Sequence, residues 1–291
     1  APARMGLWRL HNLEVCARQV ILDQIPGDFL ETGAWRGGGS ILLKGVLQTH
    51  GQSDRSVWLV DDYTTDRKPD RQLVTLQQVK QYFDNYDLLD DRVNICDGMP
   101  SANQAPKQLA LVRIADTDPA KLQASLRACY GLLQAGGYLQ IDRYYSDAKC
   151  REIVDDFRVE QDERTPLEKV DWSGVFWRKP RMINKKELPD HSVWLDFTIQ
   201  QHASEKQNFF HHVWGYLLPA LHLYLTENKP HLLFQSGGPY MDPVTTDLLK
   251  ALEIPHSIIR DWEVVPDEIN RKELSRWEPV VFRLAEQMSK K

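Results

Sequence analysis

The chain has 291 residues, 42% hydrophobic and 26% charged, ordinary globular usage with room for one large domain or two smaller ones. Its formal net charge of -5 argues against a nucleic-acid binder, because neutralising phosphates takes a basic surface. No stretch reaches the roughly 18 apolar residues of a membrane span and the opening "APARMGLWRLHNLEVC" has no continuous apolar signal core, so a soluble, cytoplasmic protein without a membrane partner is expected. Cys16, Cys96, Cys129 and Cys150 follow no CxxC or zinc-finger spacing, which fits free thiols in a reducing compartment.

In chain order, Leu10, Leu13, Val15, Val20 and Ile21 mark one face of a helix that Pro26-Gly27 stops. A strand is expected at Asp28 to Thr32, then a helix that begins in the glycine cluster and runs through Ile41, Leu42, Leu43 and Val46. "SVWLVDDY" reads as a buried strand ending in acids, which completes a βαβ unit. A helix near Leu76 to Tyr86, strands at "RVNIC" and "LALVRI", a helix from Pro119 to Leu133 and a strand at "GGYLQID" continue the alternation. The fold class expected is α/β, a doubly wound and mostly parallel sheet with ligands at the carboxyl ends of its strands. That domain would span residues 1–180, followed by a charged linker at 181–191 and a small αβ accessory domain at 192–291.

The chemistry should therefore follow the strands. "FLETGAWRGGGS" places Glu31 at the end of the first strand and Gly33, Gly37, Gly38 and Gly39 in the turn behind it, so that a ligand can approach the backbone closely. The spacing is wrong for a GxGxxG dinucleotide fingerprint, and Glu31 would face anionic phosphates. S-adenosylmethionine suits these residues better: its amine-bearing end would meet the first loop, its ribose hydroxyls Asp61, with Asp62 as runner-up, and Asp97-Gly98 would flank the adenine. Against this stands the plainer reading of each acid as a soluble turn residue.

The segments "RMGLWRLHNLEVCARQVILDQIPGDFLETGAWRGGGS", "SVWLVDDY", "YDLLDDRVNICDGM", "LQAGGYLQIDRYY", "IVDDFR" and "VDWSGVFWRK" resemble the macrocin O-methyltransferase family, which methylates sugar hydroxyls of natural products with S-adenosylmethionine. The resemblance covers about residues 4–180. It implies a class I methyltransferase fold, cofactor contacts from Glu31, Thr32, Gly33, Trp35 and Gly37, ribose held at Asp61, a sugar-containing small-molecule acceptor, a homo-oligomer, and a divalent metal that positions the acceptor hydroxyl. The family's metal acids are an Asp-Gly-Asp after the fourth strand and an Asp-Asp pair after the fifth, hard oxygen donors that suit Mg2+. Here Ala115 stands at the first of these, with Asp116 displaced by one, and Arg143 replaces the acid after Asp142. Its positive charge repels a cation and is free to pair with Asp142. A damaged metal site is expected, with Asp116 and Asp142 as its remaining ligands and as the candidate catalytic groups. Methyl transfer survives where Asp116, Asp118 and Asp142 still gather round an ion or a substrate hydroxyl; the alternative is a catalytically degraded binding or scaffold protein.

Trp35 and Arg36 read as ligand contacts, or equally Trp35 caps the first helix against the core, and Trp172 and Trp177 read as core residues of a closing strand. One of Tyr144 and Tyr145 is placed to line the acceptor pocket, and Lys149 reads as a solvated helix residue. Beyond residue 191, strands are expected at "VWLDFTI", "HLLFQ" and "PHSIIRD" around an apolar helix carrying His211, His212 and His222, which lack the spacing of a metal site. Through Asn208, His211 and Pro219 this stretch is weakly similar to part of a glycosyltransferase family of xylosyltransferase-like enzymes, too short for a complete transferase.

Overall fold

The structure is a computed structural model that describes residues 5–63, 74–196, 218–226, 229–235, 241–260, 262–265 and 269–273. The chain divides into two compact units, residues 1–180 and 181–291.

In the first unit, α1 (Leu7–Leu22) leads into β1 (Asp28–Thr32), α2 (Gly38–Thr49), β2 (Val57–Asp61), α3 (Leu76–Asp84), β3 (Val93–Asp97), β4 (Leu109–Ile114), α4 (Pro119–Leu132), β5 (Leu133–Ile141), α5 (Ala148–Glu160), β6 (Glu168–Lys169) and β7 (Val175–Arg178). The strands form one sheet in the order β3-β2-β1-β4-β5-β7-β6. All neighbours from β3 to β5 are parallel, and β7 is antiparallel to β5 and to β6. This is the doubly wound, mostly parallel α/β sheet that the alternating pattern called for. The strand order reverses between β1 and β4, the place where open α/β sheets leave a crevice at their carboxyl ends.

The central strands are apolar because helices cover both of their faces. β4 is buried at all six positions, including one charge, Arg113. Leu30, Val112, Leu126, Val154 and Trp177 belong to one core cluster that β-strands and helices α4 and α5 build together. Each such large side chain contributes roughly 1.5–3 kcal/mol by leaving water. Cys16, Cys129 and Cys150 are buried and free, packing as small hydrophobes, while Cys96 is half-buried.

Local signals set the helix starts. Asp118 caps α4, accepting from the Lys121 amide at 3.0 Å, and Pro119 takes the first turn, where no amide hydrogen bond is lost. Asp147 caps α5 through the amides of Lys149 and Cys150. Asp118, expected as a third acid near the reacting groups, is thereby used as a helix cap.

Two aromatic expectations are corrected. Trp177 is fully buried on β7, but Trp172 is 73% exposed, because it sits in the turn before the strand. Tyr144 is buried with its hydroxyl donating to Asp155 at 2.7 Å, and the Tyr145 ring packs edge-on against it, so neither lines the pocket described below. Lys149 is exposed on α5 and paired with Glu152 at 2.7 Å.

In the second unit, β8 (Arg181–Met182), a 3-10 turn (Lys185–Glu187), β9 (Ser192–Asp196), α6 (Leu218–Thr226), β10 (His231–Gln235), α7 (Met241–Ala251), β11 (His256–Ile259), β12 (Glu263–Val264) and β13 (Asn270–Glu273) follow in order. A parallel sheet runs β11-β10-β9-β13, and Val193, Leu195, Ala220, Leu223, Leu232, Phe234 and Leu249 form its core. The stretch expected as a linker is structured within this unit, since β8 pairs with β12. Asn208, His211 and His212 lie outside the described residues.

Candidate functional site

Glu31, next to last in β1, is a fully buried carboxylate. Ser40, in the first turn of α2, donates to its Oε2 at 2.5 Å, and the Arg113 guanidinium donates to its Oε1. Arg113 lies directly opposite Glu31 in the β1–β4 register. Its other terminal nitrogen donates to Asp142 Oδ2 at 2.5 Å, just beyond the end of β5. Burial works to lower the Arg113 pKa, but Asp142 and Glu31 outweigh it and hold the guanidinium above its ordinary value. Arg9 from α1 reaches the same Asp142 oxygen at 3.1 Å, while also binding Asp171 at 2.6 Å and Ser173 at 3.0 Å. Asp142 Oδ1 and Arg113 Nε are both buried without a hydrogen-bond partner among the described residues.

Glu31, Arg113 and Asp142 line one pocket of about 180 Å3, together with Arg9, Gly33, Ala34, Trp35, Gly38, Gly39, Ala115, Thr117 and Arg143. The glycines make it possible. A Cβ on Gly33, whose φ is +64, would lie 2.6 Å from the Ala115 carbonyl carbon, and one on Gly39 would lie 2.7 Å from Glu31 Oε1. Gly37, expected as a cofactor contact, has a different place: it precedes α2 with φ of +74, and a Cβ there would strike Leu59 in the core rather than the pocket.

Asp61 and Asp97 face each other in register at the ends of β2 and β3, outside the residues that line this pocket. Asp61 accepts from the Trp35 amide at 2.6 Å and from the Asp62 amide at 2.8 Å, and its carbonyl accepts from the Gly98 amide. Asp97 accepts from the Tyr63 amide at 2.9 Å. Trp35 takes a left-handed φ of +49, rare for a bulky side chain, with the Arg36 guanidinium over its ring. Asp61 therefore ties the second strand to the glycine loop. Asp62, the runner-up, pairs instead with Lys121.

Asp142 lines the pocket and Asp116 does not. The Asp116 carboxylate accepts from Thr32 and Ser125, both at 2.7 Å, which also accounts for the Thr32 side chain. Arg143 does not pair with Asp142 as expected; its guanidinium goes to Asp147 and to the Asp116 carbonyl, each at 3.1 Å. Its φ of +67 is a conformation that Asp adopts more readily than Arg. A divalent ion does not fit this donor set: one acid is held by two guanidiniums, the other by two hydroxyls, and Ala115 offers no side-chain oxygen. Among the described residues no group of three or more His, Cys, Asp and Glu side chains is placed to hold a metal.

Sequence reasoning passed over Arg9 and Arg113. The signal for Arg113 was present, a lone charge inside the apolar strand "LALVRI". Arg9 carried none, because its partners lie 133 and 162 residues away.

The family model described as Macrocin-O-methyltransferase (TylF) matches residues 1–179. The chain belongs to this family. Among curated relatives, the 8-demethyl-8-(2,3-dimethoxy-alpha-L-rhamnosyl)-tetracenomycin-C 4'-O-methyltransferase of Streptomyces olivaceus is 35% identical over 200 residues, 61% of this chain and 76% of that protein. The demethyldecarbamoylnovobiocin O-methyltransferase of Streptomyces niveus is 33% identical over 62% of this chain and 77% of its own length. The mycinamicin III 3''-O-methyltransferase of Micromonospora griseorubida is 32% identical over 62% and 79%. The solved structure of the O-methyltransferase NovP matches with a TM-score of 0.58 at 32% identity, over 62% of this chain and 83% of that one. Family membership makes the chain an O-methyltransferase of the S-adenosylmethionine-dependent class. No helix among the described residues is long and apolar enough to cross a membrane.

Proposed function

We propose that the chain methylates a hydroxyl of a sugar-containing small molecule with S-adenosylmethionine as donor. The observation that carries this is the pocket at the carboxyl ends of β1, β4 and β5, where a glycine loop and an acid with one unpartnered oxygen, Asp142, line a single cavity. S-adenosylmethionine, when bound, would supply a methyl group on a positively charged sulfur. Thr32, Gly33 and Trp35 in the glycine loop would hold the amino-acid end of the cofactor, Asp61 would take the ribose hydroxyls, and Asp97 and Gly98 would flank the adenine. Asp142 orients the acceptor hydroxyl and receives its proton, contributing mainly through proximity and alignment. Glu31 serves this site through Arg113 and Ser40, since both its oxygens are engaged within the chain. The second unit is an accessory αβ domain in this reading, supported by its separate core.

Calorimetric titration with S-adenosylhomocysteine tests the cofactor half of the proposal. Saturable one-to-one binding is expected, weakened about 10- to 100-fold by Asp61→Ala if one charge-assisted hydrogen bond is lost. Absence of binding to the full chain removes the assigned cofactor site.

A further inference from the structure

A divalent cation needs several hard oxygen ligands whose charge is not already met. At the ends of β4 and β5 this chain offers Asp142, already bound by Arg9 and Arg113, and Asp116, engaged by Thr32 and Ser125. Ala115 and Arg143 complete the pocket wall. We infer that the positive charge beside the acceptor hydroxyl comes from the Arg9 and Arg113 guanidiniums, and that divalent cations are excluded from this pocket.

Arg113 is suited to the task. Its two terminal nitrogens are fixed on Glu31 and Asp142, which holds the guanidinium charge in the pocket wall where it meets a developing oxyanion without reorganising, and its Nε is buried with no partner among the described residues. A guanidinium is always charged and presents its donors in a rigid fork, so it stabilises that charge without recruiting a metal. Asp142 Oδ1, the matching unpartnered acceptor, is left for the hydroxyl proton. The methyl transfer balances: the O–CH3 bond forms, the S–CH3 bond breaks, and the proton passes to Asp142. The role given to the arginines rests on the proposed function; the exclusion of the ion does not.

Mn2+ is the probe, read by electron paramagnetic resonance with the full chain. The wild type is expected to leave millimolar Mn2+ free. The double variant Ala115→Asp, Arg143→Asp restores two acids, the second at a backbone conformation that aspartate accepts, and is expected to bind Mn2+ at least about tenfold more tightly. Wild-type binding that Asp142→Asn weakens would overturn the inference, as would a folded double variant that gains nothing. Where circular dichroism shows the double variant unfolded, the wild-type titration decides alone. Once an acceptor is turned over, EDTA is expected to leave the rate unchanged; a loss that Mg2+ restores overturns the inference. A chain that binds neither Mn2+ nor S-adenosylhomocysteine sinks the assigned cofactor site and leaves the exclusion of the ion standing.

Discussion

Arg143 follows Asp142 directly in the chain yet turns its guanidinium away from it, to Asp147 and the Asp116 carbonyl, each at 3.1 Å. Asp142 Oδ2 is met from elsewhere, by Arg113 of the neighbouring strand and Arg9 of the first helix. The cation next in sequence is thus not the cation next in space, and the consequences can be measured.

Arg113→Met is expected to destabilise the first unit by about 3–5 kcal/mol, because it leaves Glu31 and Asp142 as buried carboxylates without their shared partner. Urea unfolding followed by tryptophan fluorescence reads this directly. A loss below 1 kcal/mol would mean that water or rearrangement compensates, and that the bridge matters little to the fold.

Gly33→Ala combines two faults, a side chain at φ of +64 and a Cβ 2.6 Å from the Ala115 carbonyl carbon. The left-handed conformation alone costs about 1–2 kcal/mol, and the clash forces the glycine loop away from β4. Thermal unfolding and cofactor titration are both expected to worsen. A variant with native melting and native affinity would show that the loop has slack the contact distances deny.

Asp61 and Asp97 face each other across β2 and β3, but Asp61 also anchors the Trp35 amide at 2.6 Å. Asp97→Ala is therefore expected to weaken S-adenosylhomocysteine by only about 2- to 10-fold, the range of an ordinary hydrogen bond, and Asp61→Ala by more. Equal losses, or the reverse order, would reassign the ribose contact.

Alkaline conditions should unfold the chain through groups that resist losing a proton when folded. Burial, reinforced by Asp155, pushes the Tyr144 hydroxyl up to about 12, and burial pushes the Cys129 thiol up to about 12 and Cys150 to about 11. Unfolded, these groups ionise near 10 and 9, so between those values the unfolded chain holds fewer protons and stability falls with rising pH. Their contribution is complete below pH 9 and is lost towards pH 12. Tyr144→Phe is expected to make the decline between pH 10 and 12 shallower, as followed by circular dichroism; an identical slope would assign the loss to other groups.

Much of this was legible in the sequence because parallel α/β sheets announce themselves. Apolar strands such as "LALVRI" alternate with helices whose starts carry Asp118-Pro119 and a glycine cluster, and acids at strand ends fall at the sheet's open edge. What stayed hidden depends on side-chain direction and long-range pairing. Asp116 and Ala115 are adjacent, but successive residues at a strand end point opposite ways, so Ala115 lines the pocket and Asp116 joins Thr32 and Ser125. Asp118 looked like a third acid and is a helix cap because Pro119 begins α4. Trp172 and Trp177 looked alike in composition, and only the turn before β7 separates the exposed one from the buried one.

The Glu31–Arg113–Asp142 bridge also bears on how the sheet assembles. Glu31 on β1 and Arg113 on β4 are register partners, and Asp142, two residues beyond Arg113's partner Gln140 on β5, closes the bridge from the end of that strand, so that negative, positive and negative charge meet through one guanidinium. A slip of β4 by a single residue turns Arg113 to the opposite face, leaving two buried acids with no cation between them. The bridge thus acts as a lateral lock on strand alignment, penalising misregistered sheets during folding with the same side chains that later shape the pocket.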